Sequence, residues 1–233
     1  MTPDEARGST GPTAILFDVD GTLISTGGAG ARSWRWAFDT LYGVPADIGT
    51  FSEAGMTDPD VARRTFLGAV GREPTDRELA RVLAAYLERL PEEVETSGQY
   101  RVLPGAEDLL RRLRQKGSLL GVVTGALETA AHIKLARSGL HRFFAFGGYG
   151  SDSSDRGELT RSAIERASAI IGREIEPANV SIVGDTPKDV RAAHAVGAVA
   201  VGVASGRYSV DDLRSAGAHV AVASLEEPIP GLD

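Results

Sequence analysis

The sequence predicts an α/β protein: an open, Rossmann-like doubly wound parallel sheet with a helical domain inserted into it. Three observations carry that prediction. Continuous apolar runs of strand length occur at 14–17, 119–123, 180–183 and 199–203, the pattern of parallel strands buried on both faces. Amphipathic stretches ending in glycine separate the later runs, and strand–helix alternation is the mark of a doubly wound sheet. About a hundred residues lie between the first two runs, where one βαβ unit needs about 30.

The first strand, Ala14-Ile15-Leu16-Phe17, is followed after a short turn by Gly27-Gly28-Ala29-Gly30. That segment lacks the third glycine of a dinucleotide fingerprint and the Gly-Lys-Ser/Thr of a phosphate loop, so it reads as a flexible hinge. Beyond it the insertion is helical, with helices over 32–42, 59–69 and 76–90. Asp58 before Pro59 fits an N-cap with proline at the first helical position, with a side chain facing substrate as the alternative. Thr75-x-x-Glu78 fits a capping box, and Pro91 is expected to stop the third helix. Trp34 and Trp36, two apart, cannot share a helix face; one belongs to the core of the insertion and the other is available to the site. The insertion spans 25–99.

The chain then returns to the sheet. Helices over 104–115, 127–137, 159–171 and 190–196 are each followed by a glycine, at 117, 139, 172 and 197, the usual residue just past a helix end. Further short strands are expected at 143–146 and 219–222. The α/β core is thus 13–24 with 100–226, and 1–12 and 227–233 are expected to be flexible termini.

Composition narrows the chemistry. The 42% hydrophobic and 24% charged residues belong to a folded globular chain rather than a disordered one. With no cysteine, disulfides, thiolate-bound zinc, iron–sulfur clusters and a thiol nucleophile are excluded. The net charge of −7 argues against nucleic acid and anionic membranes as partners, since both are bound through excess Lys and Arg. The longest apolar stretch, 195–204, is far short of the ~20 residues that span a bilayer. The opening residues show no apolar export core, so a cytoplasmic protein is expected. A homodimer is compatible with all of this. The histidines at 132, 141, 194 and 219 lack metal-like spacing, and Arg111, Arg112 and Arg114 form a solvated helix face.

Three of the apolar runs end in polar groups: Asp18 and Asp20 after the first, Thr124 after the second, and Asp185, with Asp189 four residues on, after the third. Ligands in open α/β sheets bind at the carboxyl ends of the strands, so these residues should meet in one crevice. Thr124 and Asp189 could also be ordinary helix-capping residues. An oxygen-rich, histidine-poor cluster suits a hard cation such as Mg²⁺. A helix opening beside Ala126 adds an anion-binding terminus, and cation plus helix end suggest a phosphate ligand.

Asp18-Val19-Asp20-Gly21-Thr22-Leu23, Thr124-Gly125 and Gly184-Asp185-Thr186-Pro187-Lys188-Asp189, in this order and each after an apolar strand, resemble the motifs of the haloacid dehalogenase superfamily. The likeness is to its phosphoglycolate phosphatase-like members with a helical cap, and it spans about 14–205. It implies a Mg²⁺-dependent phosphatase acting on a small phosphorylated metabolite, phosphoglycolate-like or a sugar phosphate. Asp18 would attack phosphorus to give an aspartyl phosphate. Asp20 would protonate the leaving oxygen and then deprotonate water. The metal would be held by Asp18, the Asp20 backbone carbonyl and Asp185, with Asp189 in support. Gly21, Thr22, Thr124, Gly125 and Lys188 would contact phosphate or substrate.

The family's third motif usually supplies a lysine, and none lies between Lys134 and Lys188. Arg156 is the candidate, with Arg161 and Lys188 as alternatives; the chain has three lysines among its 25 Lys and Arg residues, so arginine at a lysine site follows its general usage. Other readings within the superfamily are a dehalogenase, a phosphosugar mutase and a carbon–phosphorus hydrolase, and outside it a non-catalytic binding or regulatory protein. The insertion contains neither His nor Lys between 25 and 99, which disfavours the mutase and the imine-forming hydrolase. Retention of the acidic residues disfavours the binding protein.

Overall fold

The computed structural model describes residues 13–232. The chain opens with β1 (Ala14–Phe17) and β2 (Ile24–Ser25), then four helices: α1 (Ala29–Tyr42), α2 (Ile48–Phe51), α3 (Asp58–Val70) and α4 (Asp76–Thr96). It continues through β3 (Arg101–Val102), α5 (Ala106–Gln115), β4 (Leu119–Thr124), α6 (Glu128–Ala136) and β5 (Phe146–Tyr149). The last third is α7 (Arg156–Ile171), β6 (Val180–Gly184), α8 (Pro187–Val196), β7 (Val199–Val203), α9 (Val210–Ser215) and β8 (Val220–Val222).

Six strands form a parallel sheet in the order β5-β4-β1-β6-β7-β8. After β1 the chain builds outward on one side through β4 and β5, then on the other through β6 to β8, which leaves β1 at the centre. Its four residues are wholly buried because both faces are covered. Ile15 and Phe17 join the apolar cluster containing Leu109, Leu110 and Leu113 of α5. Ala14 and Leu16 join the one containing Leu159 and Ala163 of α7 and Val190 of α8. The two-residue alternation of a strand thus feeds two cores. An antiparallel pair, β2 with β3, closes the base of the α1–α4 segment.

The structure departs from expectation at several points. Pro91 lies inside α4 and does not end it. The lost backbone bond is offset because Leu90 and Val94 on either side stay buried and Glu93 pairs with Arg32 and Arg89. Thr57, not Asp58, is the N-cap of α3, its hydroxyl accepting from Asp60 N at 3.4 Å; this frees the Asp58 side chain for another partner. Residues 140–143 form a 3₁₀ turn, and the strand follows at 146–149. Its Gly147-Gly148 resembles a turn in sequence, but a Cβ at Gly148 would run into Leu159 O of α7. Trp34 is buried and stacks on Tyr86 at 4.0 Å, whereas Trp36 lies beneath the Arg89 guanidinium; neither reaches the crevice. Within the stretch expected to be flexible, Ile229 and Leu232 pack into the core, and residue 233 lies outside the described residues. Residues 1–12 lie outside the described residues. No helix among the described residues is long and apolar enough to cross a membrane.

Candidate active site

At the carboxyl edge of the sheet, Asp18 extends β1 by one residue, its N–H donating to Val183 O at 2.9 Å. The chain then turns sharply, with Gly21 at φ 88° and its N–H bonded to Ile24 O. Only glycine fits there, because a Cβ would collide with the Asp185 carboxylate. Thr22 Oγ1 donates to Asp185 Oδ1 at 3.2 Å. Thr22 is fully buried, so it orients Asp185 where a phosphate contact was expected. Thr124 ends β4, and its hydroxyl accepts from Ala126 N at 3.3 Å. Thr186 caps α8 in a reciprocal box with Asp189, whose Oδ2 accepts from both Thr186 N and Thr186 Oγ1.

Arg156 is the first residue of α7, placed there by the Asp155 cap, which accepts from Glu158 N at 3.0 Å. Its side chain is 10% exposed, with NH2 paired to Asp189 and lying 3.7 Å from Asp18 Oδ1. NH1 reaches Gly55 O of the helical segment at 3.3 Å, and the buried Nε has no partner. The two alternatives lie elsewhere: Arg161 pairs with Glu158 at the surface, and Lys188 pairs with Glu53 at 3.3 Å, outside the pocket lining.

Carboxylate oxygens of Asp18, Asp185 and Asp189 lie within 4.8 Å of one another. Crowding shows in their acidities. Burial above all, then Asp189, holds the Asp18 carboxyl well above its usual range, although Arg156 works the other way. Burial and Asp189 push Asp185 up to about 7 against the opposing Thr22 bond. Burial raises Asp58 to about 6, tempered by Lys134 and the Leu127 N–H. Three buried acids with one arginine among them leave an excess of negative charge that a cation would relieve.

The pocket over this cluster measures about 190 Å³ and is lined by Asp18, Asp20, Thr124, Arg156 and Asp185 together with Met56 and Asp58 of the helical segment and Lys134 of α6. Larger hollows of about 480 and 620 Å³ lie away from the acids and gather no comparable chemistry. Ala54, Gly55, Met56 and Asp58 line the pocket from the helical segment and form its roof. Asp58 N donates to Gly125 O at 2.7 Å, and Asp58 Oδ2 accepts from Leu127 N at 2.8 Å, just before α6. Gly125 permits this approach, since a Cβ would strike Met56 O.

Asp58 read first as a local cap, with a place facing substrate as the alternative, and the structure puts it in the pocket lining. Lys134, inside the helix expected at 127–137, carried no site reading. The available signal for Lys134 was its scarcity, one of three lysines in an arginine-rich chain.

Acids at the ends of β1 and β6 and a hydroxyl at the end of β4 thus line one pocket, with a helical segment over it, an arrangement that suits a hydrolase. The chain belongs to the haloacid dehalogenase-like hydrolases, whose family model matches residues 12–197. It is 29% identical over 201 residues to a phosphoglycolate phosphatase of Synechococcus elongatus, covering 83% of this chain and 84% of that one. It is 27% identical over 212 residues to a glyceraldehyde 3-phosphate phosphatase of Methanopyrus kandleri, covering 84% and 85%. Its fold is similar to that of CbbY from Rhodobacter sphaeroides, solved with xylulose-1,5-bisphosphate, at a TM-score of 0.75, 22% identity and coverage of 95% and 99%.

Proposed function

We infer that the chain is a Mg²⁺-dependent phosphatase of small phosphorylated metabolites working through an aspartyl phosphate on Asp18. The observation that carries this reading is the buried Asp18, Asp185 and Asp189 cluster with the Arg156 guanidinium beside it. Its donor set fits Mg²⁺, being all oxygen with no His or Cys. Asp18, Asp185 and the Asp20 backbone carbonyl would hold the ion, while Asp189, engaged by Thr186 and Arg156, keeps the surroundings in place. Bound there, Mg²⁺ supplies the positive charge that lets a phosphate dianion approach carboxylates.

In the first step Asp18 forms a bond to phosphorus, the ester P–O bond breaks, and Asp20 gives its proton to the departing oxygen. In the second, water attacks the aspartyl phosphate, Asp20 takes the water's proton, and inorganic phosphate leaves with Asp18 restored. Thr124, the Gly125 N–H and Arg156 hold phosphoryl oxygens. Relatives named phosphoglycolate phosphatase and glyceraldehyde 3-phosphate phosphatase and a pocket of about 190 Å³ support a substrate of two or three carbons.

Lys134 brings an amine into the pocket from the core, which reopens imine chemistry. Burial works against its charge, but Asp20 first, then Tyr86 and Asp58, outweigh burial and hold the lysine well above its ordinary value. A lysine held in its charged form is a poor imine-forming amine, which favours hydrolysis of a phosphoester as the reading. The test is phosphate release from phosphoglycolate with Mg²⁺ or EDTA, together with Asp18→Asn. Turnover that is unaffected by EDTA, or retained in a folded Asp18→Asn variant, would overturn it.

A further inference from the structure

Lys134 is more deeply enclosed than the residue it serves. Its side chain is 8% exposed against 43% for Asp20, and Nζ donates to Asp20 Oδ2 at 2.6 Å. Packing does not call for a charge at this place: its buried neighbours on α6 are Ala130, Ala131 and Leu135, and a buried ammonium is costly unless fully partnered. The surroundings come from both parts of the molecule. Asp20, in the core loop after β1, is the ion-pair partner of the ammonium; from the helical segment, Asp58 of α3 lines the same pocket and the Tyr86 hydroxyl of α4 interacts with Lys134. Tyr86 is held by its stack on Trp34, Asp58 by the Leu127 N–H, and the Lys134 backbone by the Tyr100 hydroxyl, which donates to Lys134 O at 2.7 Å. Among the described residues no other side chain donates to the Asp20 carboxylate.

We propose that Lys134 is the positioning residue for Asp20, pinning Oδ2 so that Oδ1 is presented to the leaving oxygen, with Tyr86 steadying the ammonium when the helical segment is docked on the core. This rests on the phosphatase reading and specifies how its proton-transfer group is aimed. The reaction remains the two displacements given above, with Oδ1 as the atom that gives the proton to the ester oxygen and takes one from water. Docking of the helices and aiming of Asp20 are then one event, since the ammonium has partners on both sides.

Lys134→Met and Tyr86→Phe test the proposal with two esters. Phosphoglycolate has a leaving alkoxide that needs a proton, and 2,4-dinitrophenyl phosphate has a leaving phenolate that does not. Lys134→Met should lower kcat on phosphoglycolate by about tenfold or more, the range for a displaced general acid, with KM changed by less than about threefold. Its first turnover of the dinitrophenyl ester should stay near the wild-type rate. A burst of phenolate approaching one per site should follow, because the phosphoenzyme then waits for the same misaimed base. Tyr86→Phe, which keeps the Trp34 stack, should show the same pattern more weakly, and Lys134→Arg should recover part of the loss.

An equal loss of first turnover on both esters would mean a general structural role and would overturn the proposal. So would a change in KM for phosphoglycolate alone, which would make Lys134 a binder of the substrate's carboxylate, or wild-type behaviour of both variants. If Lys134→Met does not fold, Tyr86→Phe decides by the same readouts. Failure of the wild-type protein to hydrolyse either ester would instead strike the phosphatase reading itself.

Discussion

Removing divalent cations should make this protein less stable as pH rises from about 5 to about 8, the reverse of ordinary carboxylate behaviour. Asp185 moves from 3.8 to about 7 on folding, through burial and then Asp189. Asp18 is raised chiefly by burial, and Asp58 goes to about 6, also by burial. A carboxyl with a native pKa above its unfolded value binds more protons in the folded state. Its contribution is therefore full below the unfolded value and is lost as pH climbs through the native one. For Asp185 alone, roughly three pKa units correspond to about 4 kcal/mol at 1.36 kcal/mol per unit. About two of those units lie above pH 5, so the loss between pH 5 and pH 8 is on the order of 2–3 kcal/mol. The opposite slope, from carboxylates lowered by surface hydrogen bonds to arginine such as Glu107 and Asp152, acts only below about pH 5. A cation that binds the deprotonated acids adds stability through mass action where they are ionised. Urea unfolding followed by circular dichroism at about pH 5 and about pH 8, with EDTA or millimolar MgCl₂, measures both effects. The EDTA midpoint should fall with pH, and Mg²⁺ should raise it mainly at the higher pH. A midpoint that climbs with pH in EDTA, or a Mg²⁺ effect equal at both values, would refute the reasoning.

Three further outcomes are expected. Arg156→Ala leaves Asp18 and Asp189 buried without their cation and should cost about 3–5 kcal/mol in EDTA, read by urea unfolding, with kcat or phosphate affinity down by about tenfold or more. Asp58→Ala removes the acceptor for the half-buried Leu127 N–H and should loosen the roof by about 1 kcal/mol; hydrogen exchange should rise at 54–58 and at Leu127 while the sheet stays protected. Incubation with β-glucose 1-phosphate, phosphonoacetaldehyde and phosphoglycolate in Mg²⁺ should release phosphate from the last; efficient formation of glucose 6-phosphate or acetaldehyde would make the enzyme a mutase or a carbon–phosphorus hydrolase.

Residues at strand ends were readable in the sequence because the sheet itself gathers them. Asp18, Thr124 and Asp185 each follow an apolar run, and parallel pairing of β1 with β4 and β6 brings those ends together whatever the loops do. Arg156 became a candidate by a different route, the resemblance asking for a basic third motif where the sequence has no lysine, and it lines the pocket from the start of α7. What escaped was decided by packing between distant segments. Pro91 obeys a local rule for ending helices, yet Leu90 and Val94 gain enough burial on either side to carry α4 past it. Asp58 carries the local signature of a cap, yet Thr57 satisfies the helix end and leaves the carboxylate to bind Leu127 across the pocket.

Lys134 shows how a scarce residue can carry information that its own helix does not. Arginine serves nearly all exposed ion pairs in this chain, with Arg72, Arg89, Arg111, Arg142 and Arg166 each bound to a carboxylate. Arginine's planar fork grips a carboxylate along one edge, whereas an ammonium is a compact point charge with three donors free to point in different directions. An enclosed position shared by Asp20, Asp58 and Tyr86 asks for the second geometry, because its partners converge from separate elements instead of offering one flat edge. Lys134 thus marks a place where charge must be small and many-sided, and Arg156, facing Asp189 and Gly55 O along its fork, marks a place where a plane suffices.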